Sequence, residues 1–506
     1  MNYIEHGLGN DARKTQPMNL SEFLGRHGLE SNPFAAEEAA QDPVLTQSGD
    51  LCRHPDFGKI FGEPTHPSPA VVFGERGAGK TALRLQMEAA YRAYNKEQSD
   101  NRVLVLGHDN FDAMIGRIAR HERLKNQSAA LESITLSDHI DIVLHGIVPQ
   151  LVDQLLGGTD RAPLQVSNFR KQLRKAPSLV RREMLLLQMA YDHTPIAAKR
   201  TRQLKSTLGL GGSSGSRAAA TWSMVLACFA LVFSAMSLVQ EPKRPLLAVA
   251  VLLAAGSFVM GWSWLRCQTR VGIIARGMHK GLRCVNRTAA SFRESLHHIE
   301  VNIGSASMPT DRGDDSRFAM MDRLLAVLRV VDYGSIAILV DRVDEPTVVA
   351  GDVDHMRCLV APLLSSRFLQ HRGMAVKLLL PAELGDRFNR EDGAFFRAAR
   401  LDKQNAVERL QWSGSMLAKV CDARIRAASA RPTSAVAVET LFDENVGRAK
   451  VEEALGGCGN PREACRMMYA MLQEHMAHSD AGVKTISSAT FDLVRQRSQV
   501  RSNSKR

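Results

Sequence analysis

The sequence predicts an α/β protein built on a mainly parallel sheet, interrupted by a helical insert and a two-helix transmembrane hairpin, and followed by a helical lid. Three stretches carry that prediction. AVVFGERGAGKTALRLQ, from residue 70, reads as a buried strand, a glycine-rich loop and a helix. GSIAILVDRVDE, residues 334–345, reads as a second buried strand that ends on an acid. Between them, residues 218–239 and 245–265 form two charge-free apolar runs.

At 506 residues the chain exceeds a single domain of roughly 100–200 residues, so several units are expected. With 44% hydrophobic and 23% charged residues it is not a wholly disordered chain. The eight cysteines form no CxxC pair and lack the histidine partners of a zinc site, which argues against both a metal cluster and a disulfide framework. Lys and Arg total 65 against 53 Asp and Glu, a net charge of +12 that suits nucleic acid or an anionic membrane face. The N-terminal MNYIEHGLGNDARKTQPMNL contains acids and no apolar run of secretory-signal length, so the mature chain is expected to begin close to Met1.

The expected order is an N-terminal segment (1–69), the first half of the core (70–125), a helical insert (126–206), a Gly/Ser linker (207–217) and the hairpin (218–265). The second half of the core (266–400), the lid (401–480) and a basic C-terminal tail (481–506) follow. In the insert, Ser137 is the candidate N-cap of a helix whose apolar residues Ile140, Leu144, Ile147, Val148, Leu151 and Leu155 recur at helical spacing. Residues 179–193 hold another apolar run of helical length.

The run 218–239 has 22 residues and would reach about 33 Å as a helix, enough to cross hydrocarbon. QEPKRP connects it to the second run, whose Trp262 and Trp264 suit an interfacial aromatic belt. Lys199, Arg200, Arg202, Lys205 and Arg217 precede the hairpin, and Arg266, Arg270, Arg276, Lys280 and Arg283 follow it. The connecting loop has only Lys243 and Arg244. This bias places both flanks in the cytoplasm: a two-pass protein of the inner (cytoplasmic) membrane, with both termini cytoplasmic. The plain alternative is a pair of core helices in a soluble protein.

The strand–loop–helix order at 70–94 is the context a P-loop requires. Gly74, Glu75, Arg76, Gly77, Ala78 and Gly79 would form the cradle, with Gly77 and Gly79 letting backbone N–H groups close around phosphate. Lys80 would neutralise the β- and γ-phosphates, and Thr81 would offer its hydroxyl to Mg²⁺. In the second half, a helix with Phe318, Met321, Leu324, Leu325 and Leu328 on one face is expected to end near Gly334, before the strand IAILV. Asp341, at the strand's carboxyl end, would face the ligand crevice and hold magnesium through water. Asp344 or Glu345 would orient or deprotonate the attacking water. Further on, Pro461 suits a first helical turn, and Arg462 projects from that helix start toward a γ-phosphate.

These residues carry a resemblance to the P-loop NTPases grouped as AAA+ and STAND. GERGAGKT matches the Walker A pattern, and ILVDRVDE resembles the NACHT-type Walker B, with Arg342 where a small residue is customary. GNPR, residues 459–462, resembles the sensor-2 motif of origin-recognition-like AAA+ ATPases. A membrane hairpin between the two Walker motifs is similar to the KAP family. The strand at 374–384 would be the sensor-1 strand, but it carries Pro381 and Glu383 at its end. The resemblance covers residues 70–117 and 318 to about 475, and it implies a slow regulatory ATPase using ATP and Mg²⁺.

The leading expectation is therefore a membrane-anchored ATPase or ATP-gated switch in contact with the lipid bilayer, working as a homo-oligomer or with a protein partner. A DNA-associated, initiator-like ATPase is the alternative. Against it, no recognition motif or aromatic-interleaved basic platform is present, so nucleic acid is not favoured. A nucleotide-stabilised membrane scaffold with negligible hydrolysis is the third reading.

Overall fold

The computed structural model describes residues 19–36, 42, 53–158, 162–211, 215–239, 244–298, 308–391, 405–430, 437–478 and 483–503. Its centre is a five-stranded, all-parallel sheet of β1 (Ala70–Gly74), β2 (Arg102–His108), β3 (Tyr333–Val340), β4 (Met374–Pro381) and β5 (Asn405–Val407), in the order β2-β3-β4-β1-β5. Every residue of β1 and β4 is buried, and so is all of β3 except the half-buried Gly334, as expected of parallel strands covered on both faces. β5 lies inside the span expected to be lid; it extends the sheet beyond β1 through Val72 and Val407.

Two short helices, α1 (Leu20–Arg26) and α2 (Phe57–Phe61), precede the sheet. After β1 come α3 (Lys80–Glu97) and, beyond β2, α4 (Phe111–Glu122). The insert supplies α5 (Leu136–Leu156), α6 (Phe169–Lys175), α7 (Ser178–Tyr191) and α8 (Ala197–Thr207). It shares one continuous apolar core with one face of the sheet, to which β1, β2, β3 and β4 all contribute. Ser137 is not the N-cap of α5. Thr135 holds that place, its N–H donating to Asp138 Oδ2 at 2.9 Å. Ser137 is the second residue of α5, where its hydroxyl donates to Asp314 Oδ1 at 2.6 Å.

The apolar runs form α9 (Gly215–Val239) and α10 (Arg244–Gly281), which pack along each other, Ser257 Oγ donating to Ser223 O at 2.7 Å. The linker at 240–243 lies outside the described residues. Among the described residues one helix is long and apolar enough to cross a membrane, Ala248–Gly281, with a mean hydropathy of 1.8 in its most apolar window. Only 6% of that window is buried, whereas a core helix of a soluble domain is mostly buried. Leu252, Phe258 and Val259 face outward. Farther along, α10 enters the body, where Val271, Ala275 and Met278 are buried. A Cβ at Gly281 would meet Asp311 O at 2.6 Å, so only glycine permits this backbone approach.

α11 (Ala289–Leu296) and α12 (Asp314–Arg329) return the chain to β3. α12 stops five residues short of Gly334, which is the second residue of β3. That glycine serves close packing instead of helix termination: a Cβ there would stand 1.8 Å from Asn101 Oδ1. α12 is tied to the insert by a fully buried pair, Arg317 Nη2 to Asp141 Oδ2 at 3.1 Å, with Tyr191 also donating to Asp141 at 2.9 Å. Arg317 further donates to Gly281 O at 2.8 Å, joining the end of α10 to the helix that feeds β3.

β4 runs into α13 (Ala382–Glu391). The lid comprises α14 (Gly414–Ala427), α15 (Arg448–Gly456), α16 (Pro461–His478) and α17 (Ser488–Asn503) around a second apolar core. The expected basic tail is thus largely α17, which buries Phe491 and Val494 in that core. The N-terminal segment belongs to it as well: Phe23, Leu24, Leu29 and Phe34 are buried there, and Leu29 bridges Ser429 antiparallel.

Candidate functional site

β1 ends at Gly74, and the chain must turn sharply to enter α3. Gly77 (φ +90°) and Gly79 (φ +94°) make that turn in conformations that favour glycine. A Cβ on Gly77 would meet Arg462 Cβ at 2.9 Å and Asn460 Oδ1 at 3.0 Å, so the start of α16 lies directly on the loop. Arg462 N–H also donates to Gly77 O at 3.4 Å. Lys80 curls back, its Nζ donating to Gly74 O at 2.8 Å and Glu75 O at 3.2 Å. Glu75 and Arg76 are exposed, whereas Ala78 is buried.

The acidic half meets this loop from β3. Asp341 is 1% exposed, and the Thr81 side chain lies close enough to act on its carboxyl. Arg84 Nε stands 3.3 Å from Asp341 Oδ2 without hydrogen-bond alignment, which leaves Oδ2 buried with no hydrogen-bond partner. Burial pushes the Asp341 carboxyl above its ordinary value, against the opposing pull of Thr81, Arg84 and Lys80. Burial pulls the Lys80 ammonium down, and Asp344, Asp341 and Glu383 pull it back up. Arg462 acts on it in the opposite sense.

The structure therefore brings Lys80, Thr81, Asp341, Asp344 and Arg462 together, across the 261 residues from Lys80 to Asp341. The Glu345 side chain is 56% exposed, and its Oε2 lies 3.8 Å from Arg342 Nε. Arg342 has φ +61°, a left-handed conformation that is strained for a large side chain, on the turn leading from Asp341 to Asp344. Arg367 is engaged within the chain, paired to Asp315 at 2.6 Å and lying over the Phe318 ring.

Several residues of the site carry no signal in the motifs. Arg84 lies one helical turn beyond Lys80 and also approaches Glu88 (2.8 Å) and Asp109 (3.6 Å). The spacing Lys80 to Arg84 on one helix face is the one clue the sequence offered. Glu383 enters from the first turn of α13, because β4 neighbours β1 with Pro381 opposite Gly74. Trp412, just past β5, donates its indole N–H to Ala78 O at 2.9 Å, and Arg409 pairs with Glu75. These neighbours follow from sheet order, which no local pattern encodes.

That order also explains the location. From β1 the chain crosses to β2 on one side, and from β4 it reaches β5 on the other. Such a reversal opens a crevice at the carboxyl ends of the strands, the place where open α/β sheets bind ligands. Comparison with protein-family models, curated proteins and solved structures found no match, so the site is read from its own chemistry.

Proposed function

We propose that this chain is a membrane-anchored ATPase or ATP-gated switch whose catalytic body faces the cytoplasm. The observation that carries the reading is the meeting of the Gly77–Thr81 loop with Asp341, whose buried Oδ2 has no hydrogen-bond partner. A magnesium ion supplies charge neutralisation between phosphate oxygens, and an unsatisfied carboxylate oxygen beside a threonine hydroxyl suits it. Among the described residues no three His, Cys, Asp or Glu side chains gather to hold a metal ion.

In this reading the loop's backbone N–H groups and Lys80 hold the phosphates, and Asp341 with Thr81 would hold Mg²⁺. Asp344 orients or deprotonates the attacking water. Arg462 senses the γ-phosphate from the lid and couples nucleotide state to lid position. α9 and α10 cross the inner membrane as a two-pass hairpin, supported by the outward-facing apolar surface of α10 and by the basic flanks. Both termini are then cytoplasmic.

The test is turnover. The chain should resist alkaline extraction from membranes, and in detergent it should hydrolyse ATP only with Mg²⁺. Extraction in a soluble state would end the membrane reading. Nucleotide binding with no turnover would favour the scaffold reading over the enzyme.

A further inference from the structure

Arg84 lies on α3 one turn beyond Lys80, with its guanidinium at the carboxyl ends of β2 and β3. We propose that it is a positioning residue, a built-in counter-cation for Asp341 that keeps a divalent metal ion off this carboxylate until a nucleotide's phosphates arrive with it. The inference rests on the nucleotide reading above.

The sheet sets the place. β2 and β3 pair in parallel up to His108 opposite Val340, so the next residues of the two strands, Asp109 and Asp341, emerge side by side. The Arg84 guanidinium spans both. Its Nη1 stands 3.6 Å from Asp109 Oδ2 and its Nε 3.3 Å from Asp341 Oδ2. It passes over Gly107 of β2, where a Cβ would come within 3.8 Å of Nη1. The side chain is only 11% exposed.

Asp341 is not what anchors this guanidinium. The aligned hydrogen bond runs from Nη1 to Glu88 Oε1, one turn farther along α3, at 2.8 Å. Toward Asp341 the alignment is missing, and both Arg84 Nε and Asp341 Oδ2 are buried without a hydrogen-bond partner. A buried ion pair that serves only to hold the fold gains from having its hydrogen bonds made, because each unmade one costs the desolvation of a donor or acceptor. Arg84 instead places its charge beside Asp341 and leaves Oδ2 free to ligate.

The consequence follows from charge. A divalent ion ligated by Oδ2 would stand next to the guanidinium, with the Lys80 ammonium also acting on the same carboxyl. Like charges at such range repel strongly where water is excluded. A nucleoside triphosphate carries several negative charges, which offset these cations and draw the metal ion in with the phosphates. Removing Arg84 would leave Glu88, Asp109 and Asp341 without the guanidinium between them, oxygen donors that attract a hard divalent cation.

The experiment titrates Mn²⁺, a paramagnetic stand-in for Mg²⁺, into the purified full chain in detergent without nucleotide and reads bound ion by electron paramagnetic resonance. Arg84→Met should bind Mn²⁺ roughly tenfold or more tightly than wild type. Arg84→Lys, which keeps the charge, should stay close to wild type, and Arg84→Met/Asp341→Asn should lose the gain. A role confined to holding the strands together predicts a lower melting temperature for Arg84→Met and no gain in Mn²⁺ affinity. That result would overturn the proposal, as would a gain that survives Asp341→Asn or an equal gain in Arg84→Lys. If Arg84→Met does not fold, the wild type decides: Mn²⁺ binding as tight without nucleotide as with a non-hydrolysable ATP analogue would overturn the proposal, and markedly weaker binding would support it. A wild type that binds no ATP analogue would instead sink the nucleotide reading, and this inference with it.

Discussion

Asp344 and Glu345 are adjacent in the chain but occupy different surroundings. Asp344 heads the charges that raise Lys80, while Glu345 is exposed beside Arg342. Asp344→Asn should therefore retain ATP binding and slow hydrolysis by about 10²-fold, the scale of losing a general base, with Glu345→Gln near wild type in single-turnover assays. The reverse ranking would exchange their roles. Arg462 reaches the same loop through Gly77 and acts electrostatically on Lys80. Arg462→Ala should keep ADP affinity but lose the ATP-specific change in shape, as small-angle scattering with each nucleotide would register. Loss of affinity for both nucleotides would mean that the lid had misfolded. Lys80, Thr81 and Asp341 were legible in the sequence because loop and strand-end chemistry fix their spacing. Glu383 and Trp412 were not, because strand order alone brings them to the loop.

Strand β4 carries a feature that strand periodicity does not anticipate. Lys377 lies in its middle, fully buried, with Nζ donating to Ile60 O at 2.6 Å and Phe61 O at 3.0 Å. Burial pulls its ammonium down to about 7. The folded value thus lies below the unfolded value of about 10.4, and the unfolded chain binds more protons throughout that window. Below pH 7 the destabilisation from burying the charge is present in full. It is relieved as pH rises from 7 toward 10, by up to about 1.4 kcal/mol per pH unit. Thermal unfolding in detergent should therefore show wild type gaining on Lys377→Met between pH 7 and 9.5. A constant gap would mean that Lys377 does not titrate in that range. The helices were legible from apolar spacing, but their ends were less so. Ser137 resembles a cap yet bonds Asp314, and Gly334 resembles a helix stop yet makes room for Asn101, contacts made with distant parts of the chain.

At the scale of the molecule, the approach of Thr81 to Asp341 joins two segments that lie on either side of the two apolar helices. In a membrane reading the chain between them must cross an even number of times, and two helices satisfy that. α10 enters the body only after the apolar run, with Val271 its first fully buried residue there. Deleting residues 218–265 should consequently release a soluble chain that still binds ATP, as sedimentation with bound nucleotide would show. Aggregation of that chain without ATP binding would mean that the hairpin is needed to fold the sheet. The two long apolar helices were legible because charge-free runs of that length favour helix, whereas the N-terminal segment's place in the lid was not, since Phe23 and Phe34 pack against elements hundreds of residues away. The most direct measurement of the central claim is a titration of ATP into the purified full chain and into Lys80→Ala, each with and without Mg²⁺. The account predicts saturable, Mg²⁺-strengthened binding by the wild type and none by the variant. Equal affinity in the two chains, or no saturable binding by either, would contradict it.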